Sequence, residues 1–262
     1  MLILYDDVFS PYARKVRIAL YEKDVPFERV RALHGDCNRT DFLHVNPRAE
    51  VPALIDDSFA LYDSTIICEY IEERYPEPRL YPLDPRARAK CRLVEDLADT
   101  QLDAATYAVA IIEMGRGEQH PEMHEAARRD VQRLFDMLEQ RLGAEPFFCR
   151  SYSLADIAVV PHIMAATFLG FALDPARHPR LVAWLDRVQE RPALVRDNAD
   201  VLATLQRLQE EQRPAFDPYR VQWRSDRLEW VIKNGFVDWF VDEMKAGRTF
   251  FPLTVSSTGE TP

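Results

Sequence analysis

Three short stretches of this chain carry residues that could do chemistry together. Ser10, Pro11 and Tyr12 follow an apolar opening run and stand where a helix would begin. A hydroxyl and unpaired N–H groups at such a mouth suit an anion. Val51–Pro52 lies between the turn-forming Asn46–Pro47 and the apolar Ala53, Leu54 and Ile55. Proline cannot donate to a sheet ladder, so it belongs at the first residue of a strand or on an edge. A cis bond there would turn the N–H and C=O of Val51 away from the sheet, where they can pair with something else. Asp63–Ser64 opens a helical run with Ile66, Ile67, Tyr70 and Ile71 at helical spacing. Its first N–H groups favour a docked anionic group. Taken singly, these stretches read as a turn, a strand-opening proline and an N-capped helix. Their order and spacing instead offer three backbone-and-hydroxyl sites for one small peptide ligand.

Bulk properties exclude several function classes. A net charge of −10 over 262 residues argues against a nucleic-acid partner, because phosphate binding needs a basic surface. The opening run is interrupted by Asp6 and Asp7 too early for a signal peptide. No stretch approaches the roughly 18 apolar residues of a membrane span, so no membrane role is expected. Cys37, Cys68, Cys91 and Cys149 are scattered, and the six histidines lie singly, so no metal site is visible. Free thiols in a cytoplasmic protein are the expectation.

The elements that must position these residues alternate in type over the first part of the chain. A strand at Leu2 to Tyr5 precedes a helix from about Pro11 to Lys23, proline suiting the first helical turn. A second strand runs near Phe27 to Leu33, and the polar stretch His34 to Val45 reads as an irregular loop. Two strands flank the hairpin signal Asp56, Asp57 and Ser58, and the helix after Asp63 follows. This order suits a mixed four-stranded sheet with helices on both faces. A proline-rich linker, Tyr75 to Pro85, ends that unit, and apolar residues three and four apart then predict helices to about Asn198. Ser153 with Asp156 is a helix-start signal.

These motifs resemble the glutathione transferase superfamily over most of the chain. Leu2 to Tyr5 looks like its first strand, Ser10 to Leu20 its active-site loop and first helix, and Val51–Pro52 its cis-proline strand. Asp63–Ser64 is similar to its acidic-Ser pair, Tyr152 to Ala158 to its capped core helix, and His178 to Pro192 to its late helix. The resemblance implies an α+β fold: a thioredoxin-like glutathione-binding domain at 1–78, then an all-α helical-bundle domain at 86–198. It implies glutathione as co-substrate or cofactor, a homodimer, and Ser10 as hydrogen-bond donor to the glutathione sulfur. Val51 and Pro52 would meet the cysteinyl unit, Asp63 and Ser64 the γ-glutamyl end, Arg39 the glycine carboxylate, and Tyr12 could touch ligand. The chemistry is thiol activation. A thiol near pKa ~8.5 is about 3% thiolate at pH 7, and lowering it by about two units gives about three-quarters, worth about 2.7 kcal/mol. Serine in place of cysteine favours addition or substitution on a small hydrophobic electrophile over mixed-disulfide exchange. Isomerisation, dehalogenation or ether cleavage with glutathione is the alternative, Asp63 to Ile71 also resembling ether-cleaving members. A non-catalytic relative acting through protein contacts is another.

Two features depart from the family pattern. A basic residue often precedes the valine-proline pair, and this chain has Glu50, whose carboxylate repels an anionic ligand unless it points away or pairs with Arg48. The resemblance also weakens after Ala199, and 199–262 reads as an aromatic-rich C-terminal extension with Trp223, Trp230 and Trp239. Such a segment packs on something. A cover for the helical domain, a lid on the substrate pocket and a protein-partner surface are the readings. One helix starting near Asp226 and ending at Gly235, and a second from Phe236 to Lys245, are expected there. Tyr107, Ile111, Ile112 and Met114 are candidates for the electrophile pocket.

Overall fold

The computed structural model describes residues 1–32, 39–212 and 221–251. The N-terminal unit is a four-stranded sheet, β1 (Leu2–Asp6), β2 (Phe27–Arg31), β3 (Ala53–Asp56) and β4 (Phe59–Tyr62), in the order β2-β1-β3-β4. β1 pairs parallel with β2 and antiparallel with β3, and β3 pairs antiparallel with β4 through a turn in which Asp57 has φ 53°. A parallel pair needs a crossover, and α1 (Pro11–Glu22) supplies it between β1 and β2. α2 (Arg39–Val45) and α3 (Ser64–Arg74) complete the unit. The stretch before β3 was expected to be irregular. Its second half is instead helical, because Phe42 buries its ring, stacked on Tyr5 at 5.5 Å, and gives the turn an apolar anchor.

Helices follow: α4 (Pro85–Asp96), α5 (Asp103–Val109), α6 (Pro121–Leu142), α7 (Leu154–Phe168), α8 (Pro179–Gln189) and α9 (Pro192–Glu210). This is the expected α+β arrangement, a thioredoxin-like unit and then an all-helical one. Between α4 and α5, and again after α5, the backbone widens into π-helical turns at Leu97–Leu102 and Ala110–Gly115. α7 is buried nearly all round, as a central helix must be when it is apolar on every face. Its start is fixed by a capping box. Asp156 accepts from the Ser153 N–H at 2.9 Å, from the Phe148 N–H at 3.2 Å and from the Trp184 indole at 2.8 Å. Burial pushes the Asp156 carboxyl up to about 6 against those donors.

Beyond α9 come β5 (Val221–Gln222), α10 (Ser225–Lys233), α11 (Val237–Lys245) and β6 (Thr249–Phe250), with β5 parallel to β6. The two helices lie where their stop signals predict, Gly235 and Gly247 taking φ 84° and 68° just past their ends. Trp223 and Trp230 are buried, and Trp223 meets Trp239 and Phe240 edge-on at 5.9 and 4.9 Å. Arg116 holds Glu243 with both its terminal nitrogens, and the Trp230 indole donates to Asp130 at 3.0 Å. The segment therefore packs on the helical unit. α9 runs unbroken through 198, where the sequence reading set a boundary. No helix of the described residues is long and apolar enough to cross a membrane.

Candidate functional site

Sheet register decides where the three motifs meet. Tyr5 pairs with Ala53 and Ala53 with Tyr62, so the end of β1, the start of β3 and the end of β4 share one edge. The segments leaving that edge are Asp7 to Ser10, the loop that reaches Val51–Pro52, and Asp63–Ser64. All three line one cleft of about 900 Å³ between the sheet unit and the helices. Ser10, Tyr12, Val51, Pro52, Asp63 and Ser64 all face it. Arg39 opens α2, and its side chain lies outside the described residues, as does Cys37.

Ser10 is the N-cap of α1, and its hydroxyl oxygen accepts from the Ala13 N–H at 3.4 Å. That bond uses a lone pair and leaves the hydroxyl proton to donate. The Val51–Pro52 peptide is cis, and Val51 stands two residues before Ala53, the first paired residue of β3. Asp63 caps α3 at φ 79°, accepting from the Thr65 N–H at 3.0 Å, while Ser64 is buried beside it. Glu50 does not stand alone. Arg48 reaches it at 2.8 Å and Arg224 at 3.9 Å, and Arg48 also lies 3.7 Å from Asp63. The repulsion expected of Glu50 is thereby offset.

Tyr12 presents its ring to the cleft, but its hydroxyl donates to the Asp99 carbonyl at 2.5 Å. Burial, reinforced by the charge of Asp103, raises its phenol well above the usual range, so it stays neutral. Behind it lies a buried charge cluster at the junction of the two units. The Lys15 ammonium contacts Asp99 and, at 2.8 Å, Glu95, and the Thr65 hydroxyl and His162 join it at 2.9 and 3.3 Å. Burial works against the Asp99 charge, yet Lys15 and His162 bring its carboxyl below the usual range.

The helical wall differs from expectation in part. Tyr107 and Ile111 line the cleft, with Thr106, Ala110, Ala165 and Leu169. Ile112 is core, and Met114 packs against the core instead of lining the cleft. The π-helical turn starting at Ala110 explains the miss, since it breaks the 3.6-residue stripe on which those candidates were chosen. Unforeseen in the sequence are Gln222, Arg224 and Arg227, which bring the C-terminal segment into the wall. Arg227 grips Asp103 at 2.7 and 3.2 Å and stacks over Tyr107 at 3.3 Å. The Gln222 amide donates to the Arg48 carbonyl at 2.9 Å, tying this wall to the loop before the cis-proline. Their only signal was aromatic content, which predicts packing without saying against what.

Family models and known proteins match much of the chain. The glutathione S-transferase N-terminal domain model matches residues 4–79, and the glutathione S-transferase C-terminal domain model matches 121–187. A stringent starvation protein A homolog of Haemophilus ducreyi is 31% identical over 196 residues, covering 73% of this chain and 86% of that protein. A glutathione S-transferase of Methylobacillus flagellatus, solved with GSH bound, superposes with TM-score 0.66 at 31% identity. The match covers 75% of this chain and 98% of that one. The beta-etherase LigF of Sphingobium sp. strain SYK-6 gives TM-score 0.63 at 27% identity, over 76% of this chain and 99% of its own.

Proposed function

Since the chain belongs to the glutathione S-transferase family, we propose that it binds glutathione and activates its thiol for attack on a hydrophobic electrophile. One observation carries the reading: Ser10, Val51–Pro52 and Asp63–Ser64 converge on one cleft from one sheet edge. Val51 pairs with the cysteinyl backbone, and Asp63 and Ser64 hold the γ-glutamyl end. The Ser10 hydroxyl donates to the sulfur, and the α1 N-terminus adds its dipole, which together stabilise the thiolate. The sulfur then forms a bond to the electrophilic carbon, the leaving group departs with its electron pair, and the thiol proton passes to solvent. Tyr107, Ala110, Ile111 and Leu169 give that carbon an apolar wall.

Two alternatives have specific support. Ether cleavage with glutathione draws on the similarity to the beta-etherase. A role without catalysis, through protein contacts, is left room by the similarity to stringent starvation protein A homologs, whose name states no reaction. Calorimetric titration with glutathione, followed by thiolate absorbance near neutral pH, tests the reading. Wild type should bind with a raised thiolate fraction. Ser10→Ala should still bind but lose that thiolate and about 10- to 100-fold in turnover, one charge-assisted hydrogen bond's worth. No binding at millimolar glutathione would sink both enzyme readings and leave the protein-contact one.

A further inference from the structure

Among the described residues, Arg224 is the one cleft guanidinium with no acceptor in hydrogen-bond reach. Arg227 spends its nitrogens on Asp103 and on the Gln222 carbonyl, and Arg48 holds Glu50 at 2.8 Å. Arg92, also on the wall, holds Glu69 at 2.7 Å. Arg224 lies 3.9 Å from Glu50, beyond hydrogen-bond distance, and makes no side-chain hydrogen bond among the described residues. Its guanidinium carbon sits 5.3 Å from the centre of the Tyr12 ring, at the cleft wall, with the side chain 26% exposed.

Its backbone is fixed on both sides. Gln222 is tied to Arg48, Trp223 is buried against Tyr107, Trp239 and Phe240, and Arg227 is locked onto Asp103. A planar fork of donors held in place, mostly out of water and with no acceptor in hydrogen-bond reach among the described residues, matches a carboxylate bidentately. Glu50 does not fill that role, because Arg48 already pairs with it at closer range.

We propose that Arg224, brought to the cleft by the C-terminal segment, is the receptor for a ligand carboxylate. The site stands between Glu50, next to the backbone that would hold glutathione, and Tyr12, on the side of the helical wall. The carboxylate is therefore either glutathione's own at glycine or one carried by the electrophile. The inference rests on the glutathione reading only for the first source. If the second holds, the preferred electrophiles are aromatic acids and not neutral hydrophobes.

Two binding pairs on the full chain decide it. One compares glutathione with its glycine monoethyl ester; the other compares 4-nitrobenzoate with methyl 4-nitrobenzoate. Wild type should favour the free acid by about tenfold or more in one pair, and Arg224→Ala should erase that preference while the ester's affinity stays put. Arg224→Lys, which keeps the charge without the fork, should retain part of it. The pair that responds identifies the source. The inference falls if wild type shows no acid preference in either pair, or if Arg224→Ala keeps it. The nitrobenzoate pair needs no glutathione, so an Arg224-dependent preference there, with no glutathione binding, would fail the parent reading alone. The wild-type comparisons need no variant and stand even if Arg224→Ala folds poorly.

Discussion

Two hydroxyls stand at the mouth of α1, and burial separates what each can do. Tyr12 has spent its proton on the Asp99 carbonyl, whereas Ser10 accepts from the backbone and keeps its own to give. Thiols in this chain divide in the same way. Cys68 is buried and its thiol is pushed up, which keeps it protonated and inert. Cys149 is half-buried beside the fully buried Cys91. The neighbouring Cys91 thiol lowers the Cys149 thiol from 9.0 to about 7 although burial opposes it, while the Cys91 thiol itself donates to the Ser153 hydroxyl at 3.9 Å and that hydroxyl to Asp156 at 3.1 Å. A depressed thiol keeps its anion as pH falls until about 7, so alkylation of Cys149 by iodoacetamide should rise with a midpoint near 7. Cys91→Ala should move that midpoint up toward the ordinary thiol value of about 8.5. Site-resolved mass spectrometry across the pH range reads both. A wild-type midpoint near that ordinary value would refute the contact.

At the scale of elements, what the sequence made legible were its boundaries. Pro11 and Asp63 mark helix starts, the proline-rich linker ends where Pro85 opens α4, and Ser153 with Asp156 builds its capping box, because these signals act through neighbouring backbone. The π-helical turns and α2 were illegible because packing sets them. So was the reach of α9 past residue 198. Asp197 and Asp200 on α9 receive guanidiniums from the sheet unit. Asp197 takes Arg14 at 2.7 Å and Arg17 at 2.6 Å, Asp200 takes Arg29 at 2.7 Å, and Arg17 also grips Asp6 at 2.7 Å. Arg17, Asp6 and Asp197 are buried, so desolvation is offset only while all partners are present. Arg17→Met leaves two carboxylates short of a partner in the interior. It should destabilise by about 3–5 kcal/mol in denaturant titration. A loss under about 1 kcal/mol would mean that Arg14 and Arg29 suffice to compensate them.

The described residues still expose apolar surface at the scale of the whole molecule. The aromatic C-terminal segment covers the helical unit and closes one wall of the cleft, while apolar side chains stay exposed on the outer side of α3 and α4. There Phe59, Ile66 and Leu93 are 54%, 54% and 55% exposed. Arg92 on α4 pairs with Glu69 on α3 at 2.7 Å, and Phe59 leans on Tyr70 of α3 at 5.8 Å, so these side chains belong to one region spanning both units. Burying a large apolar side chain is worth about 1.5–3 kcal/mol, which favours covering three of them together. We propose that a second copy of the chain does so about a twofold axis, a surface of one kind meeting itself. Light scattering behind gel filtration should then give about twice the 30.4 kDa chain mass. Leu93→Glu with Ile66→Glu would place like charges across the axis and should yield a folded monomer. A wild-type monomer at micromolar concentration, or a double variant that stays dimeric, would move the interface elsewhere. Arg92 also lines the cleft, so this surface adjoins the outer edge of the site, and turnover of the monomeric variant would tell whether the second copy supports that wall.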